Sequence, residues 1–320
     1  MATPVHGSTY SRSFIDPDQY QAAIRGGDSL YSILGRGVFG ADLRSIEVGQ
    51  VKLQRGRETL PRLAASGMPA NKVGLLTWPS TGCLPVVRGA QIRPGELLCL
   101  APGMQSHHRT SGSNEFWGIV MDASELARAA RDFTGREFLV ASGKVLRPPE
   151  DLVSWLHSTI QLAIRVSKAT PQVLSSPQAA KALEEALLRP MIACLQYDDT
   201  PQESLSRSRR AALAKKFEET VEANLDGPLY VRELCRMTGL PGRSLHKLCQ
   251  EQMGVSPVRF LALRRLHLAH QALLKADTRS ATVTEIALDV GIWEFGRFAV
   301  AYKSLFGESP SETLRRRAGA

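Results

Sequence analysis

Two stretches of this chain repeat each other at a distance of 52 residues. The first, ELCRMTGL, begins at Glu233, and the second, EIALDVGI, begins at Glu285. Each copy continues through an amphipathic segment to the proline of a Ser-Pro pair, 18 residues after the turn glycine in the first copy and 19 in the second. Because repeated segments of this kind adopt the same local structure, the repeat predicts two copies of one supersecondary unit.

Each copy fits a helix-turn-helix. A short helix, beginning near Tyr230 in the first copy and near Thr284 in the second, ends at a glycine that permits the left-handed backbone of a tight turn. The apolar residue after the glycine, Leu240 or Ile292, is expected to enter a small core, across which a second helix packs at a steep angle. The residues expected to face that core are Leu234, Cys235, Leu245 and Leu248 in the first copy, and Ile286, Ala287, Phe298 and Tyr302 in the second.

The distribution of charge indicates the kind of partner. The chain of 320 residues carries a formal net charge of +9, which attracts polyanions such as nucleic acid. Most of the surplus lies in residues 201–320, which hold 19 Lys and Arg against 13 Asp and Glu. A chain of this length exceeds the usual size of a single hydrophobic core, so two domains are expected. The basic end of the chain, which also contains the repeat, is therefore the candidate for binding nucleic acid.

The first half of the chain has a different residue pattern. Residues 29–121 contain short β-forming runs separated by Gly and Pro turns, and the candidate strands are 46–53, 72–78, 96–100 and 115–121. This pattern predicts a β-sandwich or barrel. Helical spacing of apolar residues then predicts helices over 151–166 and 179–195, the second kinked at Pro190. The Asp-, Ser- and Arg-rich segment 197–210 is typical of a flexible linker.

Several other classes of protein are disfavoured. No run approaches the roughly 18 consecutive apolar residues of a membrane span, and the N-terminus has no apolar run that could serve as a secretory signal. The five cysteines are odd in number, scattered and without zinc-finger spacing, so we interpret them as buried, reduced thiols. We therefore expect a cytoplasmic protein without a membrane partner.

The helix that joins the two copies, residues 258–275, completes the pattern. The chain resembles the AraC/XylS family of transcription regulators over about residues 217–314. The residues that carry the resemblance are Arg265-Leu266, Ala269 and Leu273-Leu274 in the joining helix, Glu285-Ile286-Ala287 with Gly291, and Lys303, Phe306-Gly307 and Ser309-Pro310 at the end of the second copy. Within the family, residues 291–298 with Tyr302 and Phe306-Gly307-Glu308 are similar to regulators of ethanolamine utilisation and of aromatic-acid catabolism.

The resemblance implies an α+β chain in four parts. A β-rich, cupin-like, effector-sensing domain would occupy residues 1–121, a helical dimerisation or linker region 122–200, a linker 201–212, and an all-α double helix-turn-helix DNA-binding domain 213–320. The implied function is that of a sequence-specific regulator that responds to a small-molecule effector. As is usual in this family, the regulator is expected to be an activator. The implied partners are double-stranded DNA, RNA polymerase and a second copy of the chain in a homodimer.

The second helix of such a unit enters the major groove, where each base pair presents a distinct pattern of donors and acceptors. In the first unit the outward residues predicted to bind DNA are Arg243, Ser244, His246, Lys247 and Gln250. Arginine and lysine can donate to guanine, and glutamine can pair with adenine. Pro241-Gly242 stands where a polar helix cap is usual, so the start of this helix is expected to be held less firmly.

The second unit departs from the usual polar face. It presents Trp293, Glu294, Phe295, Gly296, Arg297, Ala299 and Val300, of which Glu294, Gly296, Arg297 and Val300 are predicted to face DNA. Our hypothesis is that the first unit carries most of the direct readout, whereas the second contributes Arg297, apolar contact with thymine methyl groups and phosphate positioning. The candidates for phosphate contact elsewhere are Arg259, Arg264 and the terminal run Arg315-Arg316-Arg317.

Trp78, Phe116 and Trp117 are candidates for lining an effector cavity in the N-terminal domain, although core packing is the more common role of such residues. A metal-dependent cupin enzyme needs several convergent histidines, whereas the adjacent His107 and His108 would point to opposite faces of a strand. We therefore predict no catalytic residue, no metal ligand and no cofactor. The alternatives are a regulator controlled by a protein partner and a cupin-type metal enzyme fused to a DNA-binding module.

Overall fold

A computed structural model of the chain describes residues 7–24, 29–79, 82–136, 138, 140, 143–197, 205–225, 229–277 and 281–316. In these residues, twelve strands form two antiparallel sheets. The seven-stranded sheet has the order β1-β3-β4-β11-β6-β9-β12, and the five-stranded sheet has the order β2-β5-β10-β7-β8. The strands are β1 Gly7–Phe14, β2 Ser29–Ile33, β3 Ala41–Val48, β4 Val51–Glu58, β5 Arg62–Gly67, β6 Lys72–Thr77, β7 Val86–Val87, β8 Ala90–Gln91, β9 Leu97–Leu100, β10 Gln105–Arg109, β11 Asn114–Asp122 and β12 Val145–Leu146.

The β-rich N-terminal half is confirmed, with one correction of register. The strands predicted over 72–78, 96–100 and 115–121 correspond to β6, β9 and β11. The run 46–53, predicted as one strand, instead spans a hairpin, because Gly49 has a φ of +55° and reverses the chain between β3 and β4. Val48 pairs with Val51 across that turn.

The two faces of the larger sheet have different neighbours. Leu53, Leu75 and Ile119 lie on its outer face, in a core shared with helices. Gln54 and Phe116 lie on its inner face, toward the smaller sheet. Because successive side chains of a strand alternate between faces, one sheet supports both a helix-covered core and an internal cavity.

Three helices cover the outer face: α2 Ala123–Thr134, α3 Glu150–Ala169 and α4 Pro177–Gln196. The predicted helices 151–166 and 179–195 correspond to α3 and α4, which bury Leu156, Ile160 and Leu187 completely. Pro190 lies inside α4, which continues on both sides of it. A short 3-10 helix, Pro171–Ser175, joins α3 to α4. The remaining helix of the N-terminal half, α1 Pro17–Ala23, is capped by Asp16.

The linker predicted over 201–212 is too long. Residues 201–204 lie outside the described residues, whereas α5, Leu205–Glu222, already forms within the predicted linker. The physical reason is burial, because Ala214, Phe217 and Val221 of this helix enter the core of the first helix-turn-helix. Apart from Leu205, the first six residues of α5 are polar, and its apolar residues recur only from Ala211 onward, so the sequence pattern did not indicate a helix at its start.

The C-terminal half is helical and contains the two predicted units. The first unit is α6 Val231–Thr238 with α7 Gly242–Met253, the connector is α8 Pro257–Lys275, the second unit is α9 Val283–Asp289 with α10 Phe295–Phe306, and α11 Pro310–Arg316 follows. In the part of the chain that the structure describes, no helix combines the length and apolar character that crossing a membrane requires.

The C-terminal half packs against the smaller sheet. The backbone N–H of Ile33 donates to His267 Nε2 at 3.1 Å, and Gln271 Nε2 donates to Asp18 Oδ1 at 3.0 Å. His107 Nε2 of β10 contacts the Glu218 carboxylate of α5. One apolar cluster crosses the same interface and includes Phe14, Tyr20, Tyr31, Ile33, Leu263, Leu266, Ala269 and Leu273. The connector helix α8 therefore contacts the N-terminal domain directly.

Candidate nucleic-acid interface and N-terminal cavity

The first unit is built around a glycine turn. The α6 helix begins with the backbone N–H of Tyr230 donating to Glu233 Oε2 at 2.8 Å. It ends at Gly239, whose φ of +74° is the left-handed conformation predicted from the sequence. The N–H groups of Gly239 and Leu240 both donate to the carbonyl of Cys235, which satisfies the last turn of the helix. This turn fixes the angle at which α7 leaves α6.

The second unit repeats this construction with a stronger start. Thr282 Oγ1 accepts from the backbone N–H of Glu285 at 3.2 Å, and the Glu285 carboxylate accepts from the backbone N–H of Thr282 at 2.9 Å. This reciprocal capping box satisfies two N–H groups that the helix cannot satisfy itself. Gly291, with a φ of +70°, then turns the chain toward α10. The two glycines of the repeat therefore serve the same geometric purpose.

The second helices present the predicted faces. Leu245 and Leu248 of α7 are buried, as are Phe298 and Tyr302 of α10. The five residues predicted to read DNA from α7 are all exposed: Arg243, Ser244, His246, Lys247 and Gln250. Pro241, at the N-cap of α7, makes no side-chain capping bond, which agrees with the expected weak start of this helix.

The exposed face of α10 is mostly apolar. Trp293, two residues before α10, is 61% exposed, and Val300 on α10 is 73% exposed, both unusually high fractions for large apolar side chains. Arg297 forms an ion pair with Glu294, with Nη1 2.9 Å from Oε2, and both side chains extend into solvent. Gly296 has no atom within 4 Å of the position of a Cβ, so the backbone at this point is open to a large ligand.

The predicted phosphate contacts differ in their surroundings. Arg259, near the start of α8, is exposed. Arg264 is only 5% exposed, and its guanidinium forms two hydrogen bonds with the Glu222 carboxylate, at 2.6 and 2.9 Å. The prediction of a phosphate contact for Arg264 is therefore wrong, because this side chain is enclosed and joins α8 to α5. In the terminal run, Arg315 is exposed, whereas the Arg316 side chain and Arg317 lie outside the described residues.

A cavity of about 70 Å³ lies between the two sheets. Trp78 and Phe116, two of the three aromatic residues predicted for an effector cavity, line it. Trp117 does not line it, because it follows Phe116 on β11 and points to the opposite face. There its indole Nε1 donates to Glu115 at 3.0 Å and its ring meets His157 edge-on. Trp117 therefore belongs to the core beneath the helices.

The cavity also contains polar groups that were not predicted from the sequence. Arg62 Nε donates to Glu58 Oε2 at 2.7 Å, and both side chains are almost completely buried. The Arg62 guanidinium also lies 5.4 Å from the ring centroid of Tyr31. A charged pair four residues apart within a β-rich region was the available signal, because isolated charges are rarely buried without a partner.

His108 also lines the cavity, and burial lowers its pKa well below the usual value, so the imidazole is neutral at pH 7. Its Nδ1 has no hydrogen-bond partner among the described residues, and the same holds for Trp78 Nε1 and Gln54 Nε2. The neighbouring His107 instead faces the C-terminal half and contacts Glu218. The prediction that these two adjacent histidines point to opposite faces is confirmed.

The comparisons with known proteins concern mainly the C-terminal part. The helix-turn-helix domain family matches residues 234–316. The probable thc operon regulatory protein of Rhodococcus erythropolis is 33% identical over 147 residues, which make up 46% of this chain and 44% of that protein. The XylDLEGF operon transcriptional activator 1 of Pseudomonas putida is 37% identical over 97 residues, which make up 30% of this chain and 29% of that protein. The aligned part of the chain thus spans less than half the length of either relative.

Among solved structures, a probable AraC family transcriptional regulator from Rhodopseudomonas palustris CGA009 is 39% identical, with a TM-score of 0.31. The match covers 33% of this chain and 96% of that one. The relatives that share the helix-turn-helix region are named as regulators of operons. Together with the domain match and the resemblance of the connector helix, these similarities show that the helix-turn-helix part of the chain belongs to the AraC/XylS family of transcription regulators.

Proposed function

We propose that this protein is a sequence-specific, DNA-binding transcription activator that acts in the cytoplasm and is not an enzyme. The observation that carries the proposal is the pair of helix-turn-helix units whose reading helices both have exposed outer faces. Because α8 connects the units as one continuous helix, both faces can meet the same DNA duplex. RNA polymerase is the expected protein partner, since an activator must act on transcription.

The test is selection of DNA by the full-length protein at near-physiological salt, followed by sequencing of the retained fragments. We expect a recurring motif with two elements about one helical turn, or about 10 base pairs, apart. A Lys247→Ala variant should retain less DNA, whereas Lys181→Ala, on the exposed surface of α4, should retain the same DNA as the unmodified protein. Salt-sensitive retention without an enriched motif would mean that charge alone attracts DNA.

We further infer that the cavity between the sheets binds a small effector. The charges of Arg62 and Glu58 compensate each other, so the site does not require a strongly charged ligand. The buried N–H groups of Trp78 and Gln54 are donors whose burial costs free energy unless a ligand or water accepts from them. These features favour a compact, largely apolar molecule that carries acceptor oxygens.

The effector is tested by thermal unfolding in the presence of a panel of metabolites. A compound that binds the folded protein should stabilise it by about 2.7 kcal/mol when its free concentration is 100 times its Kd. Trp78→Phe removes the indole donor and should weaken the effect, whereas Trp155→Phe, on the partly exposed surface of α3, should not. Stabilisation by no compound in the panel would favour control by a protein partner.

We also propose a homodimer. The exposed Trp155 and Leu162 are seven residues apart on α3, and therefore lie on one face of the helix. Two copies of the chain could cover these side chains in a symmetric helix pair. Sedimentation equilibrium should give twice the chain mass for the unmodified protein, and Leu162→Glu should shift the equilibrium toward the monomer. A monomer at all concentrations would contradict this arrangement.

A further inference from the structure

Three potential metal ligands meet where the two halves of the protein touch. Asp16 and Asp18 belong to the start of α1 in the N-terminal half, and His270 belongs to the connector helix α8. One ligand atom from each residue lies within 4.8 Å of the other two. Because Asp18 and His270 are 252 positions apart in the sequence, only the fold brings them together. The DNA-binding function makes no use of this cluster.

The distance between Asp16 and His270 is compatible with two ligands of one cation. Asp16 Oδ2 lies 3.6 Å from His270 Nε2, too far for a hydrogen bond. A protonated imidazole would approach a carboxylate to about 2.8 Å. Two ligand atoms on one tetrahedral cation, each with a bond of about 2.1 Å, stand about 3.4 Å apart. The observed distance is therefore closer to that of two ligands on a shared cation.

Hydrogen bonds on the Nδ1 side of His270 orient its ring so that Nε2 can bind a cation. Thr313 donates to the Glu308 carboxylate at 2.7 Å, so Thr313 accepts from the Tyr302 hydroxyl at 2.9 Å. Because the Tyr302 proton is used in that bond, its oxygen accepts from His270 Nδ1 at 2.6 Å. The proton of a neutral His270 then lies on Nδ1, and the lone pair of Nε2 faces the carboxylates. Ligating histidines are commonly fixed by a hydrogen bond of this kind.

The carboxylates have the capacity to bind a cation. Asp18 Oδ1 accepts from Gln271, whereas Asp18 Oδ2 is buried and has no hydrogen-bond partner among the described residues. Asp16 uses Oδ1 to cap α1, accepting from the N–H groups of Asp18 and Gln19, and its Oδ2 lies 3.6 Å from His270 Nε2. The charge of Arg264 reaches Asp18, but that guanidinium is already paired with Glu222 through two hydrogen bonds.

We propose that Asp16, Asp18 and His270 bind one divalent transition-metal cation that joins the N-terminal half to the connector helix of the DNA-binding half. One imidazole and two carboxylates suit Zn²⁺ and Mn²⁺, and the two negative charges balance the cation. Three protein ligands leave a position for water. Since ligands from both halves are required, the cation stabilises their docked arrangement. This inference goes beyond DNA binding and does not depend on the effector cavity.

The test is equilibrium dialysis of the full-length, chelator-treated protein against Zn²⁺ and, separately, Mn²⁺. The unmodified protein should bind one equivalent of at least one of the two ions. The Asp18→Asn variant should not bind that ion, or should bind it at least tenfold more weakly. The Asn side chain keeps the Oδ1 acceptor for Gln271, so this variant should fold. Asp132→Asn, a matched change at an exposed position on α2, should bind as the unmodified protein does.

Two further measurements separate a metal site from a structural ion pair. Tyr302→Phe removes the acceptor for His270 Nδ1 and should weaken cation binding by about 10- to 100-fold. The cation should also raise the thermal midpoint of the unmodified protein and of Asp132→Asn, but not that of Asp18→Asn. Equal binding by the unmodified protein and Asp18→Asn, or no saturable binding of either ion, would overturn the proposal.

Discussion

At the residue scale, Arg243 and Arg297 stand near the start of equivalent helices but in different surroundings. Arg243 lies among exposed polar residues of α7, whereas Arg297 pairs with Glu294 and is flanked by apolar side chains on α10. An arginine that reads guanine through two hydrogen bonds contributes about 1–3 kcal/mol to discrimination between bases. An exposed ion pair contributes less than about 1 kcal/mol, so Glu294 does not prevent Arg297 from reaching phosphate.

We therefore expect Arg243→Ala to relax base preference at one position of the selected site and to weaken binding by about 1–3 kcal/mol. Arg297→Ala should weaken binding more evenly across sequences. The measurement is binding to a set of duplexes that differ by single base pairs, with Arg165→Ala on the exposed face of α3 as the control. A larger change of sequence preference in Arg297→Ala would contradict the proposed division between the two units.

For Arg264, we predict an effect on stability rather than on DNA binding. Because Arg264 is buried and hydrogen-bonds to the partly exposed Glu222 carboxylate, Arg264→Ala should lower the free energy of unfolding by about 1.5–3 kcal/mol. Urea denaturation measures this loss. The salt dependence of DNA binding should be unchanged under conditions where the variant is folded, whereas Arg259→Ala should reduce it by about one counterion. If Arg264→Ala were as stable as the unmodified protein and its DNA binding depended less on salt, the original prediction of a phosphate contact would be supported.

At the scale of elements, the sequence was most informative where a pattern is local and repeated. The turn glycines, the buried positions of α7 and α10 and the connector α8 follow from helical spacing and from the comparison of two copies. Several strands escaped prediction, among them β1, β2, β5 and β10. In β1 most side chains are exposed, so the strand has no clean apolar alternation. The Glu58–Arg62 pair and the cluster of Asp16, Asp18 and His270 depend on contacts between distant elements, which spacing along one element cannot reveal.

Two glycines allow a matched test of the helix-turn-helix geometry. Gly239→Ala should destabilise the protein by about 1 kcal/mol, because a side chain disfavours the left-handed backbone even where space is open. Gly296→Ala, within α10 and also in open space, should stabilise it by roughly 0.5–1 kcal/mol. Chemical denaturation gives both values. Equal effects of the same sign would mean that the turn is not built as described.

At the scale of the whole molecule, buried histidines link stability to pH. Burial lowers the pKa of His108 and of His157, so both are neutral in the folded protein and bind a proton on unfolding below about pH 6.5. The unfolded state then holds more protons, and the free energy of unfolding falls as the pH decreases from about 6.5 toward 5. The carboxylates whose pKa is lowered, such as Glu115, act with the same sign only near and below about pH 4.

Urea denaturation at pH 7.5 and 5.5 measures this loss. For His108 alone, the loss in free energy of unfolding approaches about 1.4 kcal/mol per pH unit below pH 6.5. His108→Gln should reduce the dependence, even if its stability at pH 7.5 is lower. A variant that loses as much stability on acidification as the unmodified protein would show that His108 does not contribute.

The whole molecule also fixes the distance between its two reading helices, because one continuous helix of 19 residues, α8, connects the units. The most direct test of the account is a spacing series on the selected DNA site, with 5 or 10 base pairs inserted between its two elements. We predict that both insertions reduce the affinity to that of a single element, since the connector cannot lengthen or rotate. Affinity that does not depend on the spacing would contradict the claim that the two units read adjacent grooves as one rigid pair.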